Sequence, residues 1–176
     1  MKKLIWILLS ILLSEASAQS LNRHELRMWY LAAADRKTAL DSFTAIIQNI
    51  PSKTPIEESY CGMCCAMHIA QTEGYWAKIK MVYDAKKYFN HAIERDPDDT
   101  ELHFLRFLLE HFLPSFLGLN KHITEDLKIV FAHPDFADDD PLLKKQAMEF
   151  LRWTRRCSLE QTAILDQQLN AIKKKE

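Results

Sequence analysis

The chain has 176 residues, 48% hydrophobic and 27% charged, with three glycines and six prolines, which excludes disordered, collagen-like and low-complexity classes. Lys and Arg total 23 against 24 Asp and Glu, so the formal charge is −1 and no basic excess exists to hold a nucleic-acid backbone. Three glycines also leave little material for phosphate-cradling loops.

The first element reads as an address. Lys2 and Lys3 precede an apolar run from Leu4 to Leu13, broken only by Ser10. Ser14-Glu15-Ala16-Ser17-Ala18 follows, with small residues where a signal peptidase reads. Residues 1–18 are therefore expected to be a secretory signal peptide cleaved after Ala18, which makes the protein periplasmic or secreted. The run has about ten residues, whereas a spanning helix needs ~20. No later stretch is long and apolar enough to span a bilayer. The charged, mixed surface also speaks against a helix dedicated to a membrane surface.

Residues 19–176 read as a single all-α domain of antiparallel helical hairpins. Strand signals are nearly absent, with no alternating β-branched run and no Asn-Gly or Asp-Gly hairpin. Thr54-Pro55-Ile56-Glu57 combines an N-cap, a first-turn proline and a capping-box glutamate. Asp98-Asp99-Thr100-Glu101 loads the next start with acids, Asp140-Pro141 opens another helix, and Ser158 with Gln161 caps a last one. Pro51, Gly74, Pro97, Pro114 and Pro134 are stops. The pattern predicts helices over 21–31, 33–50, 55–73, 77–95, 99–113, 120–132, 141–156 and 158–173. Short connections make neighbours antiparallel, as an α-solenoid or a compact bundle.

One spacing recurs. Ala39, Phe43, Ile46 and Pro51 stand at the same offsets as Ala85, Phe89, Ala92 and Pro97, 46 residues later. The first three of each set lie on one helix face, where a small residue lets a neighbour approach and an aromatic fills the gap. In these residues the sequence resembles the tetratricopeptide repeat (TPR) family, over about residues 33–113. The spacing exceeds the family period of ~34. Gly62 and Trp76 look like the Gly and aromatic of the repeat's first helix, at a different separation. The resemblance implies stacked hairpins that bind a protein or peptide partner, with no catalysis and no cofactor of their own.

Two groups of side chains carry candidate chemistry. Cys61, Cys64, Cys65 and His68 share one face of the 55–73 helix. Thiolates with imidazole suit zinc or copper, and His111 or Cys157 would have to complete such a site. The alternatives are plain burial of small apolar thiols, or a disulfide from Cys157 to one of the three, since helical neighbours lie too far apart to bridge. Cys61-Gly62-Met63-Cys64 has redox spacing without the βαβ setting that a redox site needs.

The second group is the stripe His103, Arg106 and Glu110 on the 99–113 helix, which is otherwise apolar nearly all round and therefore central. The stripe reads either as a solvent-facing seam with an Arg106–Glu110 pair, or as the lining of a groove that grips a partner's carboxylate or backbone. His111 sits apart from it, amid aromatics. Asp135, Asp138, Asp139 and Asp140 lack the spacing and glycine of a calcium loop and read as capping and loop solvation. No nucleophile elbow, zinc-protease helix or nucleotide fingerprint occurs. The expectation is an exported, non-catalytic adaptor, with a metal- or thiol-dependent protein built on the cysteine cluster as its rival.

Overall fold

The computed structural model describes residues 20–133 and 137–173. The expected signal peptide and its cleavage site lie outside the described residues. Among the described residues eight α-helices follow one another: α1 Arg23–Asp35, α2 Lys37–Gln48, α3 Pro55–Ile69, α4 Tyr75–Arg95, α5 Thr100–Phe112, α6 Ile123–Ala132, α7 Pro141–Thr154 and α8 Leu159–Lys173. A 3-10 turn, Ser115–Leu117, sits between α5 and α6. Among the described residues there is no strand, so the all-α class holds.

The starts obey local chemistry. Thr54 caps α3, and Glu57 returns the bond to the Thr54 amide, completing the capping box. Asp99 accepts from the Glu101 amide at α5, and Asp140 accepts from Leu143 at α7, one residue before Pro141. Ser158 and Gln161 exchange hydrogen bonds of 3.1 and 2.9 Å at α8. Each such cap satisfies amides that the first helical turn leaves open.

Three boundaries differ from the sequence expectation by three residues or more. The α1–α2 break falls at Arg36, whose extended backbone (φ −140°, ψ 126°) carries no cap or proline signal. α3 stops at Ile69, where the Thr72 hydroxyl and the Gln71 amide both donate to the His68 carbonyl and close the end. α6 starts three residues late, because the buried Glu110 carboxylate takes the His122 amide at 2.8 Å and holds the preceding residues as a loop.

α1 packs on α2, α3 on α4, α5 on α6 and α7 on α8. The first core gathers Leu26, Leu40, Phe43, Ile47, Tyr60, Ala85 and Phe89 with Leu105 and Leu109 of α5. A second core gathers Phe104 and Phe107 of α5 with Leu127, Met148, Leu151 and Leu165. α5 thus has a face in each core and is the central helix. Phe112 departs from that pattern and lies exposed at the helix end.

Phe43, Ala85, Phe89 and Ala92 are completely buried, each large ring stabilising the fold by roughly 1.5–3 kcal/mol relative to exposure. On α2 the buried register is Leu40, Phe43 and Ile47, and Ile46 is exposed. At Gly62, α3 and α4 come into close contact. A Cβ there would lie 3.0 Å from Phe89 Cζ and 3.1 Å from the Ala85 carbonyl oxygen.

Candidate functional site

His103, Arg106 and Glu110 are all buried. This corrects both readings of the stripe, the solvent-facing seam and the partner-gripping groove. Their partners come from elements remote in sequence. Asp126 of α6 receives Arg106 Nε at 3.0 Å and Nη2 at 2.6 Å, and bonds His103 Nδ1 at 2.8 Å. The other ring nitrogen of His103 meets the Pro97 carbonyl oxygen at 2.9 Å. A carbonyl only accepts, so Nε2 carries a proton, and a carboxylate faces Nδ1. Burial works against the charged ring, but these hydrogen bonds and the Asp126 charge outweigh it and raise the His103 pKa above its usual value.

Glu110 does not turn to Arg106. It accepts from Lys86 of α4, from the His122 amide at 2.8 Å and from His122 Nδ1 at 2.7 Å. Lys86 also donates to the Leu119 carbonyl at 2.6 Å. One buried carboxylate and one lysine therefore fix both the exit of α5 and the entry of α6. The loop between them displays Phe116, 82% exposed. Glu110 and Lys86 position this loop.

An aromatic plate joins the end of α5 to α7. The His111 ring meets Phe107, Phe112, Phe150 and Trp153 at centroid distances of 6.0, 5.0, 5.6 and 5.6 Å. Phe150 contacts Phe112 at 5.9 Å and Trp153 at 5.8 Å. Phe112 and Trp153 are nevertheless 65% and 64% exposed. Burial and the nearby Arg156 lower the His111 pKa, so the ring tends to neutrality and behaves as one more tile. Exposed Arg152, Arg155 and Arg156 follow along the end of α7 and just beyond it. Arg152 pairs with Asp166 of α8 at 2.9 Å. Sequence reasoning placed His111 amid aromatics but missed the plate, because α5 and α7 supply its halves. The one local signal was Phe150 and Trp153 at helical spacing.

The cysteine cluster does not assemble. Cys61 and Cys64 are buried in the first core, and burial pushes both thiols up to about 12. Cys65 is half-buried, and the four cysteines are free thiols. His68 Nε2 bonds the Thr44 hydroxyl at 3.1 Å. Among the described residues, the group whose ligand atoms come within 4.8 Å of one another is His103, Glu125 and Asp126, a set that does not include Cys61, Cys64, Cys65 and His68. There the Arg106 guanidinium already fills the cation's place, 2.6 Å from Asp126. Of the three sequence readings, plain burial is the one that describes these thiols: Cys61 and Cys64 belong to the same apolar core as Phe43, Tyr60 and Phe89, and Cys65 packs against it.

A second buried ionic group closes the other end of α5. Glu101 accepts from Tyr60 at 2.7 Å, from Arg27 at 2.8 Å and from Arg23 at 2.9 Å. Arg23 also pairs with Asp99 at 2.6 Å, and Arg27 with Asp139 at 3.0 Å. The aspartates of the α6–α7 segment thus divide their work: Asp139 takes Arg27, Asp138 pairs with Lys144 and Asp140 caps α7. Asp135 lies outside the described residues. Searches with this chain matched no protein-family model, no curated protein and no solved structure.

Proposed function

We propose that this is an exported, non-catalytic helical binding module, an adaptor or scaffold of the cell envelope that docks a protein or peptide partner on the aromatic plate. The observation that carries this reading is the plate itself: rings packed on one another, two of them about two-thirds exposed, with arginines alongside. Exposed apolar patches mark interaction sites. Trp and Arg are the residues that most often concentrate binding energy, and rings held by neighbours lose little entropy on docking. The sequence resemblance of residues 33–113 to the TPR pattern and the leader-like residues 1–18 support the adaptor and export parts of the reading. The charged groups that could serve chemistry in the interior are bonded to one another, which supports a role without catalysis.

The test begins with crosslinked capture from envelope extracts and identification of the retained protein. Affinity for that purified partner is then compared between wild type and Phe112→Ala/Trp153→Ala. A loss of tenfold or more at unchanged Tm supports plate docking. Unchanged affinity overturns it.

A further inference from the structure

The outward face of α4 carries an interaction surface of a different chemistry. Trp76, Lys80, Tyr83 and Lys87 stand at i, i+4, i+7 and i+11. At ~100° per residue they share an arc of about 60° and run about 16 Å along the helix. Val82, Ala85, Phe89 and Ala92, which face the core, lie on the opposite side. The stripe is therefore convex and faces solvent, with Trp76 80% and Tyr83 51% exposed. Tyr75 is also exposed and meets Trp76 edge-on at 5.3 Å, while Lys78 and Lys87 point to solvent and make no ion pair among the described residues. Lys80 reaches Asp84 at 2.6 Å along the edge of the stripe, and Glu73 precedes it.

We propose that this stripe rests on an anionic lipid surface, with the Trp76 and Tyr83 rings at headgroup depth and the lysine ammonium groups against lipid phosphates. Tyr and Trp join an apolar body to a polar handle and gather at the membrane–water boundary. Lysine stems lie along apolar surface while their charge stays in water. Juxtaposed cations add roughly 1 kcal/mol each near an anionic leaflet. The contrast with the plate favours lipid over protein here. The plate's rings are braced by several others and accompanied by arginine, whereas the ring contact of Trp76 is with its sequence neighbour alone among the described residues. Around the stripe Lys78, Lys80 and Lys87 exceed Glu73 and Asp84 by one charge, and Lys78 and Lys87 are the cations that no acid holds among the described residues. The inference goes beyond the partner-docking reading and uses none of its residues.

The experiment is co-sedimentation of the purified chain, its N-terminus first read by mass spectrometry, with vesicles of phosphatidylglycerol and phosphatidylcholine or of phosphatidylcholine alone. Binding at least tenfold tighter to the anionic vesicles, weakened by added salt, is expected. Trp76→Ser/Tyr83→Ser and, separately, Lys80→Glu/Lys87→Glu should each weaken it tenfold or more at unchanged Tm. Absence of binding, indifference to lipid charge, or full binding by both variants overturns the proposal. So does a dimer in solution that shields Trp76 from acrylamide quenching, because the stripe then belongs to a second copy. Phe112 and Trp153 stay intact in every arm, so either outcome leaves partner docking to its own test.

Discussion

Cys61, Cys64 and Cys65 on α3, and His103, Arg106 and Glu110 on α5, both look in sequence like chemistry gathered on one helix face. In the structure both groups are largely buried, for opposite reasons. The thiols enter an apolar core as small hydrophobes, each with a raised pKa. The polar trio is held in the interior by hydrogen bonds, each side chain meeting a carboxylate, an ammonium or a carbonyl from another element. The difference teaches that a helix face does not reveal whether it is reactive, packed or structural. The residues that arrive opposite it decide.

The sharpest way to break this comparison is to remove the partner from the charged side. Asp126→Leu leaves Arg106 and His103 buried without their counter-ion, and should cost about 3–5 kcal/mol. In a chain of this size that lowers Tm by more than about 6 °C, read by thermal and urea unfolding. Replacing all three residues, His103→Leu/Arg106→Met/Asp126→Leu, should cost less than the single change, because no stranded charge remains. A larger loss in the triple variant would show that the ions stabilise the fold outright. Arg106→Ala, which a groove-lining residue would tolerate, is now expected to destabilise.

On the α3 side the largest effect belongs to a glycine. Gly62→Ala forces a methyl against the Phe89 ring and the Ala85 carbonyl. The expected loss is about 1–3 kcal/mol by denaturant unfolding, and an unchanged midpoint would mean that the Phe89 ring gives way enough for alanine's helix preference of ~1 kcal/mol to offset the contact.

A smaller effect comes from two histidines of opposite sign. His103 has a raised folded pKa, so its contribution is complete below the ordinary value of 6.5 and fades as pH rises through the folded value. His111 has a lowered one, so its contribution is complete above 6.5 and fades as pH falls through its folded value. Stability should therefore peak near the ordinary histidine pKa. His103→Gln should flatten the alkaline limb alone and His111→Phe the acidic limb alone, as measured by urea midpoints across pH.

The smallest effect is expected of the thiols. Cys61 and Cys64 should resist a thiol reagent in the native protein at pH 8, and zinc should shift Tm by less than about 1 °C. Stoichiometric zinc binding lost in Cys→Ser variants would restore the metal reading.

Much of the fold was legible. Thr54 with Glu57, Asp99, Asp140 with Pro141, and Ser158 with Gln161 announce helix starts because a cap bonds within three residues of itself. The apolar circumference of α5 announced a central helix. The break at Arg36 was not legible, because it carries neither glycine nor proline. Nor was the loop before α6, which a glutamate on the preceding helix holds in place. The aromatic plate required Phe112 and Trp153 to meet across α5 and α7, and no spacing within either helix states that.

By itself the sequence determined the helical class, most helix starts and the faces that must avoid water, since periodicity and capping act over one or two turns. Tertiary structure decided which polar groups face solvent and which are interior. The stabilisation of a buried charge depends on a partner such as Asp126, twenty residues from Arg106 along the chain yet 2.6 Å away in space.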